Sequence, residues 1–322
     1  MQPIDIVVVG SSNTDMVIRL AHLPLPGETE IGGEFSEAAG GKGANQAVGA
    51  ARAGGHVALV ACVGRDVFGD QALAGFAKDG INTDHVVRHP VAKSGVALIF
   101  VDADSGENCI AVASGANAKL SIADVHQARD VIAQARTVIL QLEIPLATVE
   151  DAVTLAAKAG VRVILNPAPA QHLPDSLLSQ VSVFTPNEIE AEFYSGVTVN
   201  TVSDAEKAAK KLLSRGIGTV IITLGARGSF VATNTAARLV PGFKITPLDT
   251  TGAGDIYNGA LAVALGEGKS VFEAAIFANA AGAIAATRAG AQPSAPDRAD
   301  IDALIATGTV NASPPPNAQA AE

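Results

Sequence analysis

Asp249-Thr250-Thr251-Gly252-Ala253-Gly254-Asp255 is the stretch on which the architecture and chemistry of this chain turn. Small residues, a carboxylate and then the apolar run 256–265 at helical spacing describe a tight turn that opens a buried helix. The first amides of a helix lack partners within it and sit at the positive end of its dipole. A turn built from Gly252, Ala253 and Gly254 therefore offers a seat to an anion such as a transferring phosphate. Asp255 stands at the same tip as a candidate base. The same residues would equally make a glycine-rich loop before a core helix, so the segments around them must decide.

Working outward, the runs 4–9, 57–63, 137–141, 161–165, 181–185 and 219–224 are rich in Val and Ile and mostly apolar on both faces, as strands covered on both sides are. Helical patterns lie between them at 43–53, 70–78, 146–159 and 203–215. This alternation implies right-handed βαβ units: an α/β fold with a mostly parallel central sheet and helices on both faces. Ligands in such folds collect at the carboxyl ends of the strands. Residues 16–35 and 95–110 break the alternation. Their strand-like pieces and the turn signals Pro26-Gly27, Gly32-Gly33 and Ser105-Gly106 indicate a small separate β-layer. Residues 307–322, with Pro314-Pro315-Pro316, lack apolar periodicity and are expected to form a disordered tail behind a unit spanning 1–306.

The chain has 322 residues, 48% of them hydrophobic, enough to bury a large core. No apolar run reaches the roughly 18 residues that a membrane span needs, and residues 1–10 lack a basic flank and a cleavage site, so a cytoplasmic protein is expected. Cys62 and Cys109 show no CxxC spacing. Each lies in a strand-like apolar run, which suggests two buried free thiols rather than a disulfide or a zinc site. A net charge of −10 and 4% aromatics argue against a nucleic-acid track and favour a small ligand. Local dipoles and a divalent cation can still hold a nucleotide against that field.

The strand ends carry the polar motifs. Ser11-Ser12-Asn13-Thr14-Asp15 follows the first strand; if extended, it points Asn13 and Asp15 to one side, an amide and a carboxylate suited to neighbouring hydroxyls of a sugar. An Asx-type turn is the structural alternative. Gly40-Gly41-Lys42-Gly43-Ala44-Asn45-Gln46 leads into an alanine-rich helix and is neither a Walker A loop nor GxGxxG. Its glycines allow close backbone approach to a ligand, Asn45 offers donor and acceptor, and Lys42 is a ligand group or a solvated charge. Thr185-Pro186-Asn187-Glu188-Ile189-Glu190 reads as a helix start in which Asn187 and Glu190 form a capping box; the same pair could hold hydrated magnesium and phosphate oxygens. Thr223-Leu224-Gly225-Ala226-Arg227-Gly228 is a glycine turn that faces a nucleotide or merely joins two strands, and Glu143 follows another strand end.

Taken in order, Gly40 to Asn45, Asn166-Pro167-Ala168-Pro169-Ala170, Thr185 to Glu188 and Asp249 to Asp255 resemble the motifs of the ribokinase branch of the PfkB carbohydrate kinases, over about residues 4–304. The resemblance implies a three-layer α/β/α sandwich with a β-sheet lid, the lid coming from residues 16–35 and 95–110 and forming a homodimer contact. It implies transfer of the γ-phosphoryl group of ATP to O5 of D-ribose. By the family pattern Asn13, Asp15, Gly41, Lys42, Asn45 and Glu143 hold the sugar. Asn187, Thr223, Gly225, Gly228, Gly254 and Asn279 match nucleotide positions, with Glu190 near Mg2+ and phosphate. Asp255 matches the base, while the amides of Ala253 and Gly254 stabilise phosphoryl oxygens. A monovalent cation, K+, is implied at Asp249 and Thr251, the backbone of Ala285, Arg288 and Gly290, and Ser294.

Three alternatives remain open from the residues. A kinase for deoxyribose, another sugar or a nucleoside would use the same motifs. A non-catalytic sugar or nucleotide sensor would not need Asp255. A nicotinamide-dependent dehydrogenase would need GxGxxG after the first strand, which is missing.

Overall fold

The Val- and Ile-rich runs form a central nine-stranded sheet in the computed structural model, which describes residues 4–309. In chain order the strands are β1 Ile6–Val9, β2 Asn13–Leu20, β3 Glu34–Gly40, β4 Val57–Gly64, β5 Asn82–His89, β6 Gly95–Asp102, β7 Asn108–Ala113, β8 Thr137–Leu140, β9 Arg162–Leu165, β10 Val183–Phe184, β11 Thr219–Thr223, β12 Gly228–Thr233 and β13 Ala237–Pro241. The helices are α1 Lys42–Arg52, α2 Val67–Lys78, α3 Ile122–Gln127, α4 Arg129–Gln134, α5 Leu146–Lys158, α6 Asp175–Leu178, α7 Glu188–Ser195, α8 Val202–Leu213, α9 Ala253–Gly266, α10 Val271–Ala285 and α11 Arg298–Thr307. The sheet order is β13-β12-β11-β10-β9-β8-β1-β4-β5; it is parallel from β5 to β11 and antiparallel through β12 and β13.

Alternation along each central strand feeds two separate cores. Val7, Val9, Val138, Leu140 and Val163 pack with Val149 and Val153 of α5 and Leu212 of α8. Ile6, Val8, Ile139 and Ile164 pack with Val48 of α1, Leu261 of α9 and Phe277 of α10. The result is the expected three-layer α/β/α sandwich. In α9 every residue from Asp255 to Leu265 is buried, because α1 and α10 pack against it. Its contact with α1 is backbone to backbone: a β-carbon at Gly259 would lie 2.5 Å from the Gln46 carbonyl oxygen and 2.6 Å from the Ala50 nitrogen. Only a residue without a side chain lets the two helices approach this closely.

A second sheet, order β3-β2-β6-β7, stands apart. Its strands extend beyond the expected stretches: β2 begins at Asn13, β3 runs to Gly40 and β7 to Ala113. Residues 21–33 of the first stretch form the connection instead. This sheet also corrects one expectation. Cys62 is buried in β4, but Cys109 is exposed, because β7 is the edge strand of a sheet on which no layer of helices packs. Burial pushes the Cys62 thiol up to about 11. Among the described residues no helix is long and apolar enough to cross a membrane. The expected tail falls, from residue 310 onward, outside the described residues, and α11 runs to Thr307.

Candidate active site

The chain leaves the large sheet at Val9 and enters the small one at Asn13, and the motif expected to hold a sugar sits at this crossing. Asn13 and Asp15 lie on the same face of β2, as two residues at spacing two must. Glycines make room for them: a β-carbon at Gly40 would lie 2.1 Å from Asp15 Oδ2, and one at Gly95 would lie 2.1 Å from Asn13 Oδ1. Asn117 holds Asn13 in place by donating from Nδ2 to Asn13 Oδ1 (2.7 Å) and to the Ser12 carbonyl (3.1 Å), while its Oδ1 accepts from the Ser12 N–H. The NH2 group of Asn13 is thereby left for a ligand.

Next to it, α1 starts at Lys42 behind Gly41, whose φ of +87° no side chain adopts readily and which provides no capping side chain. Glu143, beyond the end of β8, supplies the missing acceptor: its Oε2 takes the Lys42 N–H at 2.9 Å and the Ser11 hydroxyl at 2.5 Å. A carboxylate at the helix tip also complements the dipole.

Asp255, 7% exposed, sits in the first turn of α9 behind Gly252, which has φ of +73°. Both carboxylate oxygens accept hydrogen bonds from α1: Oδ1 from Gln46 Nε2 and Oδ2 from Asn45 Nδ2, each at 2.9 Å. The Ala253 N–H closes the turn onto the Thr250 carbonyl at 3.2 Å. Of the two amides expected to face phosphate, Gly254 therefore stands at an orphan helix position, whereas that of Ala253 is engaged in the turn.

The charges around this point are unbalanced. Lys42 faces Asp255, Glu143, Glu190 and Asp15; attraction to Asp255 first, and to the others after it, holds its ammonium above the usual lysine range despite burial. Burial, with repulsion from Glu143 and Asp255, pushes the Asp15 carboxyl up to about 6 against the pull of Lys42. Burial likewise raises Glu190, in spite of its bond to Asn187 and the pull of Lys42. Four carboxylates around one ammonium make a cleft that suits a cation-bound phosphate better than a bare anion.

Beyond Asp255 lies a cavity of about 630 Å³ whose lining includes Thr223, Gly225, Gly228, Ala253, Gly254 and Asn279, together with residues 242–245, Gly282 and Ala283 of α10 and Ala286 just after it. Asn279 anchors the wall by donating to the Val240 and Pro241 carbonyls. Asn187 and Glu190 stand outside this lining. They form the expected capping box at α7, Asn187 Oδ1 accepting from the Glu190 N–H and Glu190 Oε2 from the Asn187 N–H, each at 2.8 Å. The second oxygen of Glu190 is not needed by the cap.

Of the residues expected at a monovalent cation, Asp249 is hydrogen-bonded to Thr251 and Gly290. Asp249 Oδ1 accepts from the Thr251 N–H (2.9 Å) and Oδ2 from the Gly290 N–H (2.8 Å); burial raises its carboxyl, but these bonds and Thr251 outweigh burial and leave it below the usual range. Ser294 is fully buried and donates to the Ala291 carbonyl. Arg288 pairs with Asp300, and its amide donates to the Ala285 carbonyl.

Residues 3–298 match the model of the pfkB family carbohydrate kinase. The chain belongs to the pfkB family of carbohydrate kinases. Among pfkB relatives, a ribokinase of Haemophilus influenzae is 48% identical over 293 residues, 91% of this chain and 95% of the relative. The crystal structure of a ribokinase from Thermotoga maritima superposes with a TM-score of 0.86 at 38% identity, covering 94% of this chain and 99% of the other. That of an Arabidopsis thaliana ribokinase complexed with ribose and ATP gives 0.87 at 32% identity, with the same coverages.

Several polar residues of this pfkB site carry no role in the sequence argument. Gln46, Asn117, Gln141, Asn166 and Asn258 are all buried and hydrogen-bonded to site residues or to each other. Their signal in sequence is a polar residue within or just after an apolar run, as with Gln141 after β8 and Gln46 among the alanines of α1.

Proposed function

We propose that this chain transfers the γ-phosphoryl group of ATP to O5 of D-ribose, giving D-ribose 5-phosphate and ADP, with Asp255 as the base. One observation carries the assignment: the buried Asp255 carboxylate lies between the sugar-side groups of β2 and α1 and a cavity partly walled by its own helix tip. Asn13, Asp15, Asn45 and Glu143 bind the ribose hydroxyls, with Gly41 and Lys42 at the helix start. The Arabidopsis thaliana ribokinase complexed with ribose and ATP shares this fold over 94% of this chain. ATP occupies the cavity with its base among the small residues of α10 and its phosphates directed to Gly252, Gly254 and Lys42. As the O5–P bond forms and the bond from phosphorus to the ADP oxygen breaks, the O5 proton passes to Asp255. Loosening of the leaving bond precedes that proton transfer, as in the dissociative transition state usual for phosphoryl transfer.

Glu190, with its second oxygen and an acidic surrounding that needs a counter-cation, is suited to hold hydrated Mg2+, which neutralises phosphate charge when bound. Asp249, Thr251, the carbonyls of Ala285, Arg288 and Gly290, and Ser294 offer an all-oxygen set with one carboxylate, suited to K+. It would brace the turn that aims the Gly254 amide. The small sheet closes the cleft as a lid. Its exposed apolar residues, among them Phe35, Leu98, Ile110 and Val112, support a homodimer through this sheet. Use of ATP suits a cytoplasmic enzyme, and residues 1–306 act as its catalytic unit.

The test is ADP release with ribose, 2-deoxyribose and adenosine, with and without K+. Ribose should be preferred, and a strong preference for adenosine overturns the assignment. Asp255→Asn should lower kcat by about 10²- to 10⁴-fold while ribose binding, followed by calorimetry, persists; unchanged turnover removes Asp255 from the mechanism.

A further inference from the structure

Asp255 does not stand alone at the helix tip. Its Oδ1 accepts from Gln46 Nε2 at 2.9 Å, and the same nitrogen donates to Asn166 Oδ1 at 3.1 Å. Gln46 is fully buried, so its amide cannot turn to water for partners. Its carbonyl oxygen accepts from Gln141 Nε2 at 2.6 Å. The three contacts fix the amide in one orientation. A carboxylate only accepts, so the NH2 group must face Asp255, and the remaining oxygen must then find a donor, which Gln141 provides.

The surroundings of this amide are built to hold it. Gln141 is fully buried and follows β8, and a β-carbon at Gly10 would lie 2.2 Å from Gln141 Oε1, so glycine at position 10 leaves room for that side chain. Asn166, after β9, donates in turn to the Thr185 carbonyl; the Thr185 hydroxyl donates to Asn258 Oδ1, and Asn258 Nδ2 donates to the Gly254 carbonyl. The chain of bonds leaves Asp255 through Gln46 and returns to its own helix turn. Gln46 is thus anchored to the ends of β8 and β9, and the Gly259 crossing fixes its backbone against α9.

We propose that Gln46 is a positioning residue for phosphoryl transfer: held by Gln141 and Asn166, it fixes Asp255 Oδ1 and aims Oδ2 at the acceptor hydroxyl. The proposal rests on the assignment of Asp255 as base. Asn45, which bonds Oδ2, is free to exchange that contact for a sugar hydroxyl, because its own Oδ1 is buried without a partner and no bond ties it elsewhere. Gln46 has no such freedom. The two adjacent amides therefore play different parts, one on the ligand and one on the base.

The experiment compares Gln46→Met, Gln46→Glu and Gln141→Met with the unaltered enzyme, measuring kcat, ribose KM and the pH dependence of kcat. Gln46→Met removes the donor at similar length; kcat should fall about 10- to 100-fold with ribose KM held within about threefold. Gln46→Glu sets a second carboxyl against Asp255, so the acidic limb of the kcat profile should move to higher pH by about one unit or more. Lys42 from α1, Asp15 from β2 and Glu190 from α7 also face Asp255, but they are unchanged in each variant and act equally on all profiles. Gln141→Met touches neither Asp255 nor substrate and should lower kcat about three- to tenfold with ribose KM unchanged. If Gln46 variants do not fold, Gln141→Met decides: wild-type kcat overturns the proposal. Wild-type kcat in folded Gln46→Met, a parallel loss of ribose binding, or an unmoved acidic limb in Gln46→Glu also overturns it. Should Asp255→Asn retain turnover, the base assignment itself falls; if that variant is inactive and Gln46→Met is unimpaired, only the role of Gln46 falls.

Discussion

Asp15 is the residue whose ionisation the fold has displaced most informatively. Burial, with Glu143 and Asp255 nearby, raises its carboxyl from 3.8 to about 6, so the folded protein binds this proton more tightly than the unfolded chain. The sign follows: the stability linked to this group is present below pH 3.8 and lost as pH rises through about 6. Asp15→Asn should therefore stabilise the unliganded enzyme at pH 7.5, by about 1 kcal/mol after allowance for partial exposure, and much less at pH 4. Thermal melts at the two pH values check this, and equal effects at both would contradict it. The ionised carboxylate is the better acceptor for a sugar hydroxyl, so ribose KM should rise as pH falls below about 6. The Asn variant should bind ribose weakly at every pH and lose this dependence. In the proposed sugar-binding role, Asp15 would trade stability for recognition, as charge held in a desolvated cleft does.

At the scale of elements, the crossing of α1 and α9 sets the distance between Asn45 and Gln46 of α1 and Asp255, the proposed base. Gly259→Ala would press a methyl group into the Gln46 carbonyl and the Ala50 nitrogen, and the helices would have to separate. We expect a loss of about 1–3 kcal/mol, read from chemical denaturation, and a fall in kcat as Asn45 and Gln46 draw away from Asp255. A variant with normal stability and turnover would show that the contact is slack. This close approach also explains what sequence could and could not reveal. The buried parallel strands were legible because both of their faces are apolar, and the glycine motifs because close approach requires glycine. β5, with the sequence NTDHVVRH, lies at the sheet edge and carries too much polarity to be read by the same rule. β3, with EFSEAAG, has no β-branched residue at all. The amide network was illegible for another reason: Gln46 and Asp255 are 209 positions apart, and no local pattern pairs an amide with a carboxylate at that range. Cys109 misled because an apolar strand in a sheet open to solvent has the same composition as one in the core.

For the whole molecule, the decisive feature is the uncovered small sheet. Facing registers place Val17, Ile99 and Ile110 on one side of it and Ile18, Phe35, Phe100 and Cys109 on the other, so both sides carry apolar residues. If a second copy covers this sheet, Ile110→Asp should shift the protein to monomer in sedimentation at micromolar concentration, with the thermal midpoint becoming less dependent on concentration. An unaltered protein that sediments as a monomer would refute the dimer. The path of the chain adds a mechanical corollary. One continuous segment runs out of β1 and becomes β2, and the groups proposed to grip the sugar, Asn13 and Asp15, are mounted on its first residues within the small sheet. If that sheet swings as the proposed lid, it carries Asn13 and Asp15 with it, so capture of the sugar and exclusion of water would be one movement and release would wait on its reopening.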